Sequence, residues 1–401
     1  MQAAGDGILC DAATYQAARA HLRFQALPTI LVKGKADPVA VYRPVEPARK
    51  ADRGRVMLGR TDERATLAEC LGALEGGTGA LVVVEGEPGI GKSWLLADLL
   101  ERARARGVRS LTGAGDAIEK TTSYHAWRPI FAQLIGLDGV DDIEERRARV
   151  LSYVQAVPAL ARLAPLLNSV LPLELPDNEL TAQLIGEVRA DNTRQLLVRL
   201  LQAAATRPSG GASPLLLVLD DAHWFDSASW ALTRQVVARV TPLLLVLATR
   251  PLVEPLPDDY RRLRQDPATE SLRLEPLGAH DVLTLVCDRL GVRRLPEPVA
   301  GLIEERAQGN PFFSEELAYA LRDAGLIRIT DGRCTIAPGA GDLSTVSHRA
   351  GRGGRPDRPP SAGAGADAEG GQRHRTAVCL PPPARGASRP RGQRRAAGVS
   401  G

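Results

Sequence analysis

Residues 86–93 read GEPGIGKS, which fits the pattern G-x-x-x-x-G-K-[ST] at each fixed position. Glycines in such a loop let backbone N–H groups converge on phosphate oxygens, and a helix that opens at Lys92 adds the positive end of its dipole. Lys92 can reach the β- and γ-phosphates of a nucleotide, and Ser93 is placed to hold Mg²⁺. The residues expected to contact the nucleotide are Gly86, Glu87, Pro88, Gly89, Ile90, Gly91, Lys92, Ser93 and Trp94. A Gly-rich turn that matches by chance is the alternative interpretation.

An acidic pair, Asp220 and Asp221, ends the apolar run LLLVLDD. A Mg-nucleotide site needs a carboxylate at the end of a neighbouring strand, and Asp220 is the expected partner of Mg²⁺. Asp221 is the expected catalytic residue, because its carboxylate can orient or deprotonate a water molecule. Its side chain is shorter than the Glu found there in many fast ATPases, so we expect slow hydrolysis. A helix cap is the alternative role of the pair.

Three further residues follow these strands. Arg250 comes after the apolar run LLLVLAT, where a side chain can sense the γ-phosphate. A surface arginine that closes the strand with a salt bridge is an equally supported interpretation of Arg250. His223 is expected either to orient its loop or to act as a sensor, and Trp224 is expected to pack.

The elements around these motifs alternate between strand and helix. Short apolar runs, ALVVVEG, VRSLTGAG, PLLLVLDD and TPLLLVLATR, predict buried strands, and helical segments separate them. This order indicates right-handed βαβ units and a parallel sheet flanked by helices. The strand signal fades after Pro251, and the remaining helices with the hairpin-like RITDGRCTIAPG predict a helical lid and a winged-helix-like region. The fold class is therefore α/β, a P-loop NTPase.

Domain boundaries follow the changes in pattern. Residues 1–45 predict a small α+β piece with a hairpin, residues 46–55 a polar linker, residues 56–255 the ATPase domain and residues 256–340 the lid and winged-helix-like region. The Gly-, Ala-, Pro- and Arg-rich residues 341–401 predict a disordered basic tail.

Composition limits the class of protein. The chain has 401 residues, 44% of them apolar, with no apolar run of 18 residues and no signal-peptide pattern, so we expect a cytoplasmic protein without a membrane span. Its five cysteines form no C-x-x-C pair, which favours reduced, structural cysteines. From residue 346 onward eleven arginines face three acidic residues, a net of +8, which leaves −4 for the rest of the +4 chain. This acidic part argues against a nucleic-acid surface.

Five blocks resemble the bacterial signal-transduction ATPases with numerous domains (STAND), AAA-like proteins found in large cyclases and in LuxR-type regulators. The blocks are MLGRTDERATLAECL, GEPGIGKSWLL, LVLDDAHWFDSASW, LVLATRP and AQGNPFFSEEL. The resemblance implies that Gly59 and Arg60 lie in the segment near the base and that Asp220 and Asp221 are the Walker B pair. It adds Arg60 and Pro311 to the residues expected to bind the nucleotide. It also implies that Gly309, Asn310 and Pro311 couple the nucleotide to downstream domains. Such proteins switch between ADP- and ATP-bound arrangements, and nucleotide-dependent assembly of subunits is a further expectation.

The N-terminal segment ILCDAATYQAARAHLRFQALPTILVKGKADPVAVYRPV resembles the end of a class III adenylate or guanylate cyclase domain. In that family a lysine of the turn approaches the substrate phosphates, and here it would be Lys33 or Lys35. The metal-binding aspartates of the family lie upstream and are missing from this sequence, so cyclase activity is not expected. An unrelated β-hairpin before an ATPase is the alternative.

The basic tail has two interpretations besides simple disorder. One is an arm for nucleic acid. The other is a slip of the reading frame shortly before His348, because residues 356–359 and 368–379, read one nucleotide later, allow the words R-I-D-R and L-K-V-A-S-V-I-G-R-R-F of related proteins. The second hypothesis is that of a truncated, frame-shifted family member.

Together these patterns predict an ATP-binding regulatory ATPase module of a multidomain adenylate/guanylate cyclase-type protein, with ATP and Mg²⁺ as cofactors. Binding and slow hydrolysis would act as a conformational switch toward other domains or proteins of a signalling pathway. The alternative is the ATPase module of a LuxR-type transcriptional regulator, and a module that binds without turnover differs from both only in rate.

Overall fold

The computed structural model describes residues 10–12, 14–15, 22–30, 39–47, 57–155, 158–206 and 211–338. The predicted tail, the frame-slip hypothesis, most of the linker, and Lys33 and Lys35 of the cyclase-like turn fall outside these residues. No helix within the described segments has the length and apolar character needed to cross a membrane.

An antiparallel sheet of three strands lies at the N-terminus. Its strands are β1 (Cys10–Asp11), β2 (Leu22–Ile30) and β3 (Val39–Pro47), in the order β1-β3-β2. The predicted pairing of the two β-rich runs is confirmed. The ring of Tyr15 stacks on Tyr42 with centroids 4.2 Å apart and meets Phe24 edge-on at 5.3 Å, so aromatic contacts fix this small unit.

A parallel sheet of five strands follows the N-terminal sheet along the chain, as predicted. Its strands are β4 (Ala80–Gly86), β5 (Arg109–Ala114), β6 (Leu215–Asp220), β7 (Leu243–Thr249) and β8 (Thr269–Leu274), in the order β5-β6-β7-β4-β8. Strands β4, β6 and β7 have neighbours on both sides and are covered on both faces, which explains their uninterrupted apolar runs.

Strand β8 was not expected from the sequence. It lies beyond residue 255, where the sequence pattern ends the ATPase domain, and it pairs with β4 at the edge of the sheet. Only Leu274 among its residues is buried, because an edge strand has one neighbour and partial cover. Its polar and apolar residues therefore mix, and the apolar run that identifies the other strands is missing.

Helices cover both faces of this sheet. On one face Leu81 and Val83 pack against the helices between β5 and β7, and on the other Val82 and Val84 pack against the helices that flank β4, following the two-residue period of a strand. The helices are α1 (Thr61–Glu75), α2 (Lys92–Ala105), α3 (Arg128–Ile135), α4 (Ile143–Gln155), α5 (Pro158–Ala161), α6 (Gly186–Ala204), α7 (Ser227–Arg239) and α8 (Asp258–Gln265).

A separate apolar cluster joins the elements after the sheet. They are α9 (Ala279–Leu290), α10 (Glu297–Ala307), α11 (Pro311–Asp323), β9 (Ile327–Thr330) and β10 (Arg333–Ile336). The two strands pair antiparallel, as the sequence predicts for this hairpin. We call α9–α11 the lid, because α9 and α11 both face the loop that follows β4.

The carboxyl ends of the parallel strands meet at one edge of the sheet. Gly86 ends β4 and Asp220 ends β6, and β7 lies between these two strands and ends at Thr249. Ligands of open α/β sheets bind at this edge. The topology therefore brings the predicted phosphate loop, the acidic pair and Arg250 to the same place.

Gly115, directly after β5, provides a stability test. A Cβ at this residue would lie 2.5 Å from the carbonyl oxygen of Asp221 and 3.0 Å from Cβ of Trp224. We expect Gly115→Ala to lower the free energy of unfolding by about 1–3 kcal/mol, because backbone must move to admit the methyl group. Urea titration followed by circular dichroism measures this change.

Gly72→Ala is the matched control. Gly72 lies inside α1, and its added Cβ would meet only an Arg106 guanidinium nitrogen at 4.0 Å. Alanine in place of a helical glycine stabilises by up to about 1 kcal/mol. Equal stability of the two variants would contradict the close approach between Gly115 and the turn after β6.

Candidate functional site

The loop between β4 and α2 has the backbone that phosphate binding requires. Gly89 and Gly91 adopt φ values of +77° and +104°, in the left-handed region that favours glycine. Helix α2 begins at Lys92, directly after the loop. The loop therefore turns sharply into the amino end of a helix of 14 residues, where N–H groups and the helix dipole attract anions.

The side chain of Lys92 folds back onto the phosphate loop. Its ammonium donates hydrogen bonds to the carbonyl oxygens of Gly86, at 2.7 Å, and Glu87, at 3.0 Å. The residue is only 8% exposed. Burial lowers the pKa of this lysine, and the nearby charges of Asp220 and Asp221 oppose the shift. The buried cation is thus available to an anion that approaches the loop.

Ser93 and Asp220 meet across the site although 127 positions separate them. The Ser93 hydroxyl donates to Oδ2 of Asp220 at 2.9 Å, and Oδ1 of Asp220 accepts from the backbone N–H of Asp221 at 2.7 Å. A hydroxyl and a carboxylate at one point fit Mg²⁺, which keeps waters and phosphate oxygens as its other ligands. No cluster of three or more His, Cys, Asp or Glu residues that could hold a metal occurs in the described part of the chain.

Asp221 and Arg250 both line a cleft beside the phosphate loop. Burial, followed by the neighbouring Asp220 charge, raises the pKa of the Asp221 carboxyl, whose side chain is 45% exposed. Arg250 is exposed and forms no ion pair with another described residue. Its two predicted roles, a sensor and a surface salt bridge, both stay predictions.

His223 and Trp224 follow Asp221 in a short 3₁₀ turn. The His223 side chain is 8% exposed, and neither ring nitrogen has a hydrogen-bond partner within the described structure. Burial lowers the pKa of His223 to about 4, and the positive charges of Arg250 and Lys92 act in the same direction. Trp224 packs on this imidazole, with ring centroids 4.8 Å apart.

Arg60, predicted to lie near the base, contacts the loop itself. It lines the cleft, is 8% exposed and adopts a left-handed φ of +59°. Its guanidinium donates to the carbonyl oxygen of Ile90 at 3.1 Å and pairs with Glu63 at 3.1 Å. Arg60 therefore supports the end of the phosphate loop, a contact that the sequence analysis did not foresee.

The segment before α11 touches the opposite side of the loop. The amide nitrogen of Asn310 donates to the carbonyl oxygen of Pro88 at 2.9 Å, while its Oδ1 accepts from the N–H of Phe313 at 3.2 Å and caps α11. The N–H of Phe312 donates to the carbonyl oxygen of Gly89 at 3.3 Å. The predicted readout segment thus lies against the loop, with Pro311 in the cleft wall.

A cleft of about 290 Å³ is lined by residues 88–94 and by Arg60, Asp221, Arg250 and Pro311. Several wall residues were missed, because they come from segments before α1 and α9 and from the lid helices, whose approach to the loop leaves no local sequence signal. Those residues are Met57, Leu58, Leu277, Leu285, Arg289, Phe312 and Glu315. The Arg289 guanidinium lies 5.3 Å from the Trp94 ring centroid and donates to Glu315 at 2.9 Å, so it links α2 to the lid.

Comparison with known proteins gives one curated relative and several distant structures. An uncharacterized protein of Rhizobium meliloti (strain 1021) is 24% identical over 322 residues, which are 71% of this chain and 28% of that protein. Drosophila ORC bound to DNA is 12% identical with a TM-score of 0.41, and the match covers 67% of this chain and 57% of that one. The Aeropyrum pernix ORC1 protein in complex with DNA is 18% identical with a TM-score of 0.39, and the match covers 73% of this chain and 65% of that one. Thermotoga maritima RuvB is 15% identical with a TM-score of 0.35, and the match covers 66% of this chain and 62% of that one.

Two family descriptions match parts of the chain. Residues 278–335, which include the lid, β9 and all but the last residue of β10, match a domain of unknown function (DUF8739). Residues 56–247 match the AAA ATPase domain. This second match contains the phosphate loop, Lys92, Ser93, Asp220 and Asp221. Residues 56–247, a little under half of the chain, are therefore similar to the AAA ATPase domain.

Proposed function

We propose that this AAA ATPase module binds Mg-ATP, hydrolyses it slowly and uses the nucleotide as a conformational switch. The observation that carries the proposal is the contact between Ser93 and Asp220, 2.9 Å apart beside a buried Lys92. A nucleoside triphosphate with its metal is bound by such a set of groups: a hydroxyl, a carboxylate and an ammonium at a helix amino terminus.

The polar residues beside the phosphate loop have separate roles in this proposal. Lys92 contacts the β- and γ-phosphates, Ser93 and Asp220 hold Mg²⁺, and Arg250 contacts the γ-phosphate. When bound, Mg²⁺ supplies positive charge against the phosphate oxygens. Asp221 orients a water molecule and takes its proton while the water oxygen bonds to the γ-phosphorus. The bond from that phosphorus to the bridging oxygen then breaks, which releases ADP and phosphate.

Slow turnover is supported by the environment of Asp221. Its carboxylate is short and 45% exposed, and its pKa is raised by burial and by Asp220. General base catalysis needs a carboxylate held in one orientation toward the water. A half-exposed aspartate satisfies this requirement only in part, which suits a switch better than a fast enzyme.

The contacts between loop and lid support the switch. Asn310 and Phe312 bind the carbonyl oxygens of Pro88 and Gly89, so a change in the loop must alter the start of α11. Interfaces of this kind have discrete packed arrangements rather than a continuous range. We infer that nucleotide exchange changes how α11 packs on the loop.

The wider context is also a proposal. The Rhizobium relative is much longer than the segment it shares with this chain, which supports a module of a multidomain protein. The N-terminal sheet agrees with the hairpin on which the cyclase resemblance rests. We therefore propose a cyclase-type regulatory protein, and the LuxR-type alternative stays a prediction.

Lys92→Ala tests nucleotide binding. The loss of one charged partner of the phosphates, worth about 1.5–3 kcal/mol, should weaken ATP binding on the order of 10- to 100-fold in isothermal titration calorimetry. Lys120→Ala removes an exposed lysine that does not line the cleft, so its affinity should equal that of the wild type. Unchanged affinity of Lys92→Ala would remove the central claim.

Asp220→Asn and Asp221→Asn separate metal binding from hydrolysis. Asp220→Asn should abolish the gain in ATP affinity that Mg²⁺ gives the wild type, because the carboxylate charge that attracts the cation is gone. Asp221→Asn should keep that gain and lower phosphate release by about 100-fold or more. Titration with and without EDTA, together with a phosphate-release assay, measures both. The same phenotype in both variants would refute the assigned roles.

Asn310→Asp tests the coupling. Aspartate still caps α11 but has no N–H for the Pro88 carbonyl oxygen, so one hydrogen bond of about 1 kcal/mol is lost. ATP should still bind, and the nucleotide-dependent change in hydrogen exchange of Pro311–Asp323 should fall by at least half.

Asn178→Asp is the matched control for this variant. Asn178 also accepts from backbone N–H groups and donates to a carbonyl oxygen, that of Arg162, but it lies outside the cleft. Its exchange response to ATP should match the wild type. A full response in Asn310→Asp would show that α11 senses the nucleotide by another route.

A further inference from the structure

A strained, closely packed turn follows the Walker B strand. Asp221 has a φ of +50°, in the left-handed region, and the next three residues form a 3₁₀ helix. The N–H of Trp224 donates to the carbonyl oxygen of Asp221 at 3.0 Å, and that of Phe225 donates to Ala222 at the same distance. The tight turn brings the side chain of His223 back beside that of Asp221.

Gly115, directly after β5, holds this turn in place. The N–H of Gly115 donates to the carbonyl oxygen of Asp220 at 3.0 Å, and the absent side chain of Gly115 lets Asp221 and Trp224 approach. Ala222 is fully buried. A left-handed aspartate persists only where its surroundings determine it this strongly, and such residues cluster at functional sites.

The imidazole of His223 is a buried polar group with unused hydrogen-bonding capacity. Its Nδ1 lies 3.7 Å from Oδ1 of Asp221, too far for a hydrogen bond but within reach of one after a small movement. Neither Nδ1 nor Nε2 has another partner within the described structure. Buried polar atoms without partners are rare and call for an explanation. Lys92, Arg250 and Asp220 are the charged groups that act on this ring.

We propose that His223 is a positioning residue that donates a hydrogen bond from Nδ1 to the Asp221 carboxylate when Mg-ATP is bound. The proposal rests on the hydrolysis proposed above and names a second residue for it. Hydrogen bonds of catalytic groups are often long without substrate and tighten when it binds. A neutral imidazole has one donor and one acceptor, so Nδ1–H is available when Nε2 carries no proton. The bond would hold the half-exposed carboxylate in one orientation toward the water.

Two substitutions distinguish the ring nitrogens. The side-chain amide nitrogen of His223→Asn takes the place of Nδ1, and that of His223→Gln takes the place of Nε2. If Nδ1 is the operative atom, His223→Asn should keep kcat within about 5-fold of the wild type. His223→Gln should lose about 100-fold in kcat, the effect of an ångström-scale misplacement. His280→Asn, at an exposed histidine outside the cleft, is the matched control.

A purely structural role would give a different result. It would affect the two variants alike, or it would weaken ATP binding together with turnover. The affinity for ATP, measured by calorimetry on the full chain, and KM should therefore stay close to the wild-type values in His223→Gln. Circular dichroism and the urea midpoint confirm that both variants fold.

A double-mutant cycle with Asp221→Asn closes the test. If His223 acts through Asp221, His223→Gln should cause no further loss in the Asp221→Asn background, measured by single-turnover release of labelled phosphate. Equal losses in both backgrounds, equal rates for His223→Asn and His223→Gln, or wild-type turnover of His223→Gln would each overturn the proposal. A wild-type protein that binds ATP without hydrolysis would overturn it as well, and one that does not bind ATP would refute the proposed function itself.

Discussion

A loop that turns its N–H groups toward an anion must turn its carbonyl oxygens away, and each of those oxygens then needs a donor. All five carbonyl oxygens of residues 86–90 accept hydrogen bonds from the protein. The donors are Lys92 for Gly86 and Glu87, Asn310 for Pro88, the Phe312 N–H for Gly89, and Arg60 for Ile90. The loop therefore depends at once on the segment before α1, on α2 and on the lid.

This dependence supports the proposed role of the loop as a switch. Lys92 satisfies two loop carbonyls in a site where burial lowers its pKa, and a phosphate anion would favour its charged form. If Lys92 turns to a phosphate, the carbonyl oxygen of Gly86 loses its donor and that of Glu87 keeps only the N–H of Ile90, 3.3 Å away. In the proposed switch the loop then rearranges, and Asn310 carries the change to the lid because its amide nitrogen donates to the carbonyl oxygen of Pro88. A ligand shifts such an equilibrium only by its different affinities for the two arrangements.

Local features of the fold and site are predictable from the sequence, and contacts between distant segments are not. The sequence predicts the phosphate loop and the buried strands β4, β6 and β7, because glycine spacing and apolar runs are local properties. Strand β8 has no apolar run, since it lies at the sheet edge. The partner of Arg60 and the place of Arg289 over Trp94 depend on how helices pack, so the sequence alone leaves them open.

Backbone strain at the site follows from the same constraint. Two residues of the cleft, Arg60 and Asp221, have left-handed φ values although neither is glycine, and Gln308 precedes the lid contact with the same geometry. Each such residue costs on the order of 1–3 kcal/mol and persists only where bonds around it compensate. The Arg60 guanidinium is anchored on the loop, and the Asp221 turn is anchored on β5. The strained residues therefore lie on both sides of the phosphate loop. The proposed rearrangement of that loop would change the free energy that this backbone strain costs.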